Sequence, residues 1–383
     1  MQPIYLDYNA TTPVDPRVLE VMLPYLREHF GNPSSSHQYG VQARHGIERA
    51  RQQVAGLLDC ASDEVVFTGG GSESDNLAIK GVAEAYCDRG DHIITSQIEH
   101  PAVLQTCRYL ERRGFRVTYL PVDSHGLVDP DDVERAVTSR TILVTIMHAN
   151  NEVGTIQPIA AIGHIARSHG ILFHTDAAQS VGKIPTRVDE LQVDLLTIAG
   201  HKLYAPKGVG ALYIRQGVQV EPLIHGASHE GGRRAGTENV AGIVGLGEAC
   251  RIAGENLDEE PTRLQGLRDR LYQGLIAHVE GVHLNGHSTE RLPNTLNMSF
   301  AKVDSSALLA MLPEVAASTG SACHAGHTEP SSVLLAMGVP SELALGAVRF
   351  SLGRWTTEGQ VDRVVALLTE RLSRVREGRS AGR

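Results

Sequence analysis

The chain has 383 residues, with 35 Lys and Arg against 44 Asp and Glu, a formal net charge of -9, and 42% hydrophobic residues. This length suits one large domain with a smaller companion, and the ordinary composition excludes global disorder. The acidic balance argues against a nucleic-acid-binding surface, and no apolar run approaches the roughly 18 residues of a membrane span.

The first segment, MQPIYLDYNATTP, has no basic start followed by an apolar stretch, so no secretory signal is expected. Short apolar runs then recur at 65–67, 92–95, 116–120, 142–147, 171–175, 194–199 and 208–214. Between many of them lie stretches with helical spacing, such as SESDNLAIKGVAEAY, AVLQTCRYLERRG and IAAIGHIARSHG. This alternation predicts an α/β fold with a mostly parallel, seven-stranded sheet flanked by helices. The last two runs are too close for a crossover helix and predict an antiparallel hairpin. After about residue 255 the texture changes. An amphipathic helix at PTRLQGLRDRLYQGLIAHV, a strand at RLPNTLNMSF and a Thr-capped helix at TTEGQVDRVVALLTERLSRV predict a smaller α+β domain. The expected division is 15–255 and 256–383, joined by residues 1–14. Five scattered cysteines without a C-x-x-C pair suggest reduced thiols and a cytoplasmic location.

Three segments carry chemistry. TGGGSESDN (68–76) follows a strand and opens a helix, so Gly71 and Ser72 offer backbone N–H groups to an anion. The alternative reading of Ser72 and Asp75 is a helix-capping pair. HTDAAQS (174–180) places Asp176 at the C-terminal end of a strand, where open α/β sheets bind ligands; a helix cap is the plainer alternative. In TIAGHKLYAPKGVGALYI (197–214), Lys202 emerges from an apolar strand beside Gly200. Most lysines are solvated surface charges, but a desolvated one loses its proton readily, as a Schiff-base former must. An anion seat, a carboxylate and a lysine, in that order, are what pyridoxal 5'-phosphate requires.

Along nearly its whole length the sequence also resembles the cysteine desulfurases of the class V aminotransferase family, whose fold is the type I fold of pyridoxal phosphate enzymes. The matching stretches include YLDYNATTPVDPRV, FTGGGSESDNLAIKG, EHPAV, MHANNEVG, HTDAAQSVGK, GHKLYAPKGVGALY, RRAGTEN, STGSACHAGHTEPS and VRFSLGRWTT. The likeness is greatest to the type that serves iron–sulfur cluster assembly.

The resemblance implies the following roles. Lys202 carries the cofactor, Asp176 pairs with its ring nitrogen, Gln179 bonds its ring hydroxyl, and His100 stacks on the ring and moves protons. Gly71, Ser72 and His201 contact the phosphate, with Thr237 reaching over from the second subunit of a homodimer. Ala199 stands where many relatives have Ser, which removes one possible phosphate hydrogen bond. Asn151 and Arg349 hold the substrate, L-cysteine, Arg349 through the carboxylate. His100 and Arg349 also have bland readings, as a helix-start residue and a sheet-edge ion pair. Cys323, in a small, polar, Gly-containing stretch, is the expected nucleophile: its thiolate attacks the substrate sulfur and leaves as a persulfide. The persulfide passes to an iron–sulfur scaffold or another acceptor protein, and Cys323 is a candidate transient cluster ligand. His324 and His327 flank it, either as solvent-exposed spacers or as groups that tune its thiol or join it on a metal. A selenocysteine lyase shares most of these residues, and a non-catalytic scaffold subunit is the alternative from another class.

Overall fold

The computed structural model describes residues 2–319 and 329–380. Its strands are β1 (Ile4–Tyr5), β2 (Val65–Thr68), β3 (His92–Ser96), β4 (Arg116–Leu120), β5 (Thr141–Thr145), β6 (Leu172–Asp176), β7 (Leu195–Ala199), β8 (Gly210–Ile214), β9 (Val282–Asn285), β10 (Thr295–Phe300), β11 (Val315–Ala316) and β12 (Ala347–Ser351).

All seven apolar runs of the first two thirds of the chain enter one sheet, in the order β2-β8-β7-β6-β5-β3-β4. Six strands are parallel, and β8 runs antiparallel to both of its neighbours, so the expected hairpin is present. Consecutive side chains of a strand face opposite sides. Phe67, Ile94, Leu196 and Ala211 therefore join one core, with Val18, Ile47, Val54 and Leu246 of the covering helices. Their chain neighbours Val66, Ile93, Leu195 and Leu212 join another, with Leu77, Ile79, Val82 and Val103. Cover on both faces is why these strands read as unbroken apolar runs rather than as alternating ones.

The helices used below are α1 (Pro16–Arg27), α2 (Gln38–Leu58), α3 (Gly71–Ala85) and α4 (Pro101–Glu111). The strand order reverses between β3 and β5, because β4 lies on the far side of β3. Such a reversal opens a crevice at the carboxyl ends of the strands.

A three-stranded antiparallel sheet, β12-β10-β9, forms later in the chain. Helices Glu260–His278 and Glu358–Ser380 cover it, and Leu271, Leu296, Met298, Phe300, Phe350 and Leu367 fill a separate core. The last helix begins as the sequence suggests. Thr357 and Gln360 cap each other, Gln360 N donating to Thr357 Oγ1 at 3.3 Å and Thr357 N to Gln360 Oε1 at 3.0 Å. Leu6 belongs to this later core, and β1 pairs in parallel with β11. A smaller apolar cluster joins Ile98, Met147 and Val153 to Val333, Leu334 and Ala347. Among the described residues no helix is long and apolar enough to cross a membrane.

Candidate active site

A cavity of about 600 Å³ lies at the carboxyl ends of β2, β6 and β7, with the start of α4 on its wall. It gathers Gly71, Ser72, His100, Asn151, Asp176, Gln179, Ala199, His201, Lys202 and Arg349 from positions spread over 278 residues of chain (349 − 71). Thr237 is exposed and stands outside the cavity of its own chain. Cys323, His324 and His327 lie outside the described residues.

β7 ends at Ala199 and turns at once into a short 3-10 turn, Gly200–Lys202, that aims the lysine inward. Lys202 Nζ donates to the carbonyls of Asn9 at 2.6 Å and Ala10 at 2.7 Å. Carbonyl dipoles compensate a buried ammonium only partly. Burial, reinforced by the nearby Arg349 charge, lowers the Lys202 pKa to about 8 despite the opposing pull of Asp176 and Asp7.

Asp176 closes β6 and is buried, its Oδ1 accepting from Ala178 N at 2.9 Å. One carboxylate oxygen each from Asp75 and Asp176 and a ring nitrogen of His100 lie within 4.8 Å of one another. Burial pushes both acids upward. Asp75, with the Asp176 charge beside it, is held well above the usual carboxylate range, while His100, Lys202 and the Ala178 N–H favour ionised Asp176. Asp75 therefore keeps the proton and Asp176 is the member of the pair that ionises more readily. His174 beneath them stays neutral: burial lowers its pKa to about 3, and Thr145 and Thr197 hydroxyls meet its two nitrogens at 2.8 and 3.0 Å.

His100 is the helix-start residue of the plainer reading and also lines the cavity. Its Nδ1 accepts from Ala102 N at 3.1 Å and caps α4, which leaves the proton of the neutral ring on Nε2. His201 is likewise neutral, with a pKa lowered by burial to about 4, and its Nδ1 meets Thr11 Oγ1 at 3.2 Å.

The glycine loop differs from one expectation. Ser72 and Asp75 do not form a capping pair. Gly70, with φ of 146°, is the N-cap of α3, no side chain caps the helix, and Asp75 falls on the buried face of its next turn. The positive φ lets the chain leave β2 and start the helix one residue before Ser72. The first-turn amides of α3 have no intrahelical acceptor and open on the cavity, where they suit an anion. The backbone at Gly71 packs against Ala199, so a Cβ there would lie 3.0 Å from the Ala199 Cβ.

Arg349, on the outer strand β12, is an ion-pair partner as well as a lining residue: Nη2 donates to Asp7 Oδ1 at 2.8 Å and Nη1 to the Asn151 carbonyl at 3.0 Å. Its Nε is buried without a partner, as is Asp75 Oδ1. The cavity fits pyridoxal phosphate by the chemistry of its lining: helix-terminal amides for a phosphate, a buried carboxylate, a lysine of lowered pKa and a guanidinium at the wall.

Sequence reasoning missed Asn9, Asp7 and Lys183 as individual residues and read Asp75 only as a helix cap. Asn9 receives Lys202 and Gln179 on its carbonyl, while its side chain bonds the Asn151 carbonyl, Thr295 and Asn294. Its signal was the match at YLDYNATTP, a stretch with neither helical nor strand periodicity.

Comparison with known proteins identifies the family. Residues 4–364 match the family described as Aminotransferase class-V. The cysteine desulfurase IscS of Dictyoglomus turgidum is 52% identical over 375 residues, covering 97% of this chain and 95% of that protein. The IscS of Methanosarcina thermophila is also 52% identical, over 97% of this chain and 93% of its own length. Among solved structures, a NifS-like protein superposes with a TM-score of 0.91 at 43% identity, covering 97% of this chain and all of that one. SspA in complex with cysteine gives a TM-score of 0.82 at 40% identity, over 92% and 99% of the two chains. A fold of this kind around a lysine, a carboxylate and a helix-terminal anion seat defines a pyridoxal phosphate enzyme. The chain belongs to the class-V aminotransferase family, in its cysteine desulfurase branch.

Proposed function

We propose that the protein is a pyridoxal phosphate-dependent cysteine desulfurase that converts L-cysteine to L-alanine and retains the sulfur as a persulfide on Cys323. The observation that carries this reading is the joint placement of Lys202, Asp176, His100 and Arg349 on one cavity. The relatives named for cysteine desulfuration and the structure bound to cysteine support the substrate.

Bound pyridoxal phosphate supplies an electron sink for negative charge that develops at the substrate's alpha carbon. The residues do the rest. Gly71, Ser72 and His201 seat the phosphate; Ala199 gives no hydroxyl there but packs on Gly71. Asp176 would pair with the ring nitrogen and Gln179 would bond the ring hydroxyl. Arg349, which lines the cavity with Asn151 beside it, binds the substrate carboxylate. Lys202 exchanges the alpha proton, its pKa of about 8 letting it be both acid and base near neutrality. His100 Nε2–H is a second proton donor at the same wall. The Cys323 thiolate then takes the sulfur. The substrate's Cβ–S bond breaks, an S–S bond forms, the carbon gains two electrons and a proton, and cysteine plus thiol becomes alanine plus persulfide.

The reading extends to a homodimer, in which Thr237 completes the partner's phosphate seat. Its exposure, and the exposed apolar side chains Leu19, Leu26, Phe30 and Tyr39 near α1 and α2, support that assembly. An iron–sulfur scaffold or another sulfur acceptor takes the persulfide, and Cys323 is a candidate cluster ligand during that transfer. Free thiols at Cys60, Cys87, Cys107 and Cys250 fit the reducing cytoplasm. The separate cores support a division into a large part, 15–255, and a smaller one, 256–383.

Replacing Cys323 with Ser is the direct test. The variant is expected to bind the yellow cofactor as the wild type does and to form no persulfide, read by alkylation and mass spectrometry of the protein after addition of L-cysteine. Alanine and protein-bound sulfur produced at the wild-type rate would remove Cys323 from the reaction.

A further inference from the structure

Lys183 is a half-buried lysine that the mechanism above leaves without a task. It follows Gln179 by four residues in the turn after β6, and its Nζ donates to Gln179 Oε1 at 3.1 Å. At the other end of that amide, Gln179 Nε2 donates to the Asn9 carbonyl at 3.0 Å. The same carbonyl accepts from Lys202 Nζ at 2.6 Å. One continuous path of hydrogen bonds therefore links the two lysines through Gln179 and Asn9.

The path has a direction. An amide presents an acceptor at its oxygen and two donors at its nitrogen. Rotating the Gln179 amide by half a turn would set its nitrogen against the Lys183 amine and its oxygen against the Asn9 carbonyl, losing both bonds. Gln179 is 6% exposed, so water has little access to replace a lost partner. Lys183, together with the Asn9 carbonyl, thus fixes the orientation of the Gln179 amide. Burial lowers the Lys183 pKa to about 7, with Lys202 and Arg349 adding to the effect and Glu260 opposing it. The ammonium can only donate, whereas the neutral amine can also accept, so above that pH the Asn9 carbonyl alone opposes the flipped amide while the Lys183 contact persists.

We propose that Lys183 is a positioning residue of the cofactor pocket: acting through the Gln179 amide, it fixes the face that Gln179 and the Asn9 carbonyl present to the cofactor and to Lys202. The proposal rests on the pyridoxal phosphate reading and adds a residue to it.

The test is a double-mutant cycle on the full-length protein, stripped of cofactor and titrated with pyridoxal phosphate while the visible absorption band is followed. Lys183→Met is expected to raise the cofactor Kd about 3- to 10-fold, the effect of losing one partly buried hydrogen bond. It is also expected to move the pH midpoint of the band in the same direction as Gln179→Ala does. The double variant should bind no more weakly than Gln179→Ala alone, because Lys183 acts through that amide. Should Lys183→Met not fold, Lys183→Leu, which also lacks a donor, supplies the same readings. Unchanged Kd and midpoint, or losses that simply add in the double variant, would overturn the role of Lys183. Wild-type protein that develops no visible band would instead overturn the cofactor reading itself, and the positioning role with it.

Discussion

Lys202 and Asp176 were visible in the sequence because each ends an apolar strand and is followed by a turn, a position that survives any detail of packing. Asp75, Lys183 and Asn9 were not, because their roles depend on neighbours brought from elsewhere in the chain. Asp75 sits in a helix that reads as ordinary. Its pKa is raised first by burial and then by the charge of Asp176, from a strand a hundred residues later, that lies against it. Lys202 offers the sharpest residue-scale prediction. Its ordinary pKa is 10.5, and burial beside Arg349 brings it to about 8 before the cofactor arrives. Only the neutral amine is a nucleophile. The rate of cofactor capture by the stripped protein should therefore rise about tenfold per pH unit below 8 and level off above it, since the neutral fraction stops growing once most of the amine has lost its proton. Stopped-flow absorbance between pH 6 and 10 measures this, and a rate still climbing at pH 10 would mean that Lys202 keeps its ordinary pKa.

At the level of elements, hydrophobic pattern located the strands within a residue or two, because all but the edge strand β4 are covered on both faces and tolerate little polar substitution. The segment between β8 and the helix Val240–Glu255 had no such pattern, and its anchoring is ionic. Glu230 accepts from Arg51 of α2 at 2.7 and 2.8 Å and from Phe67 N of β2 at 2.8 Å, with side-chain exposures of 2% for Glu230 and 11% for Arg51. Arg51 also reaches the Val65 carbonyl at 2.7 Å and stacks on the Phe67 ring. Nearby in the same segment, Arg234 pairs with Glu73 in the first turn of α3 at 2.8 Å. The segment that bears Thr237 is thereby tied to the glycine loop at its base. Glu230→Ala leaves the Arg51 charge and the Phe67 N–H buried without their acceptor, and the loss of one partner from a buried pair costs about 3–5 kcal/mol. Denaturant unfolding should show a destabilisation of that size, whereas Glu230→Gln, which keeps an acceptor, should cost less. Equal, small effects from both substitutions would mean that the pair is hydrated and anchors little.

On the scale of the whole molecule, the N-terminal segment joins the two cores, and the joint is the site itself. Leu6 is packed with Leu296 and Phe350, and Asp7 pairs with Arg349, all in the later part of the chain. A few residues on, Thr12 Oγ1 donates to the His201 carbonyl and accepts from Tyr204 N, and Asp15 binds Arg354, so the segment crosses to β7 and returns. Asn9 stands at the crossing, 1% exposed. Its side chain holds Asn294, Thr295 and the Asn151 carbonyl, while its backbone carbonyl holds Lys202 and Gln179. A polar residue placed this way couples stability to chemistry, because the side chain secures the position of the carbonyl. Asn9→Ala removes three side-chain hydrogen bonds and leaves buried partners unsatisfied, a loss of about 2–4 kcal/mol when the surroundings relax in part. The same substitution keeps the backbone carbonyl but frees it to move, so cofactor affinity should fall with stability and Lys202 should lose its fixed acceptor. Parallel measurement of the unfolding free energy and the cofactor Kd decides the matter. A variant that loses stability but binds pyridoxal phosphate as tightly as the wild type would show that the joint between the cores and the cofactor pocket are mechanically independent.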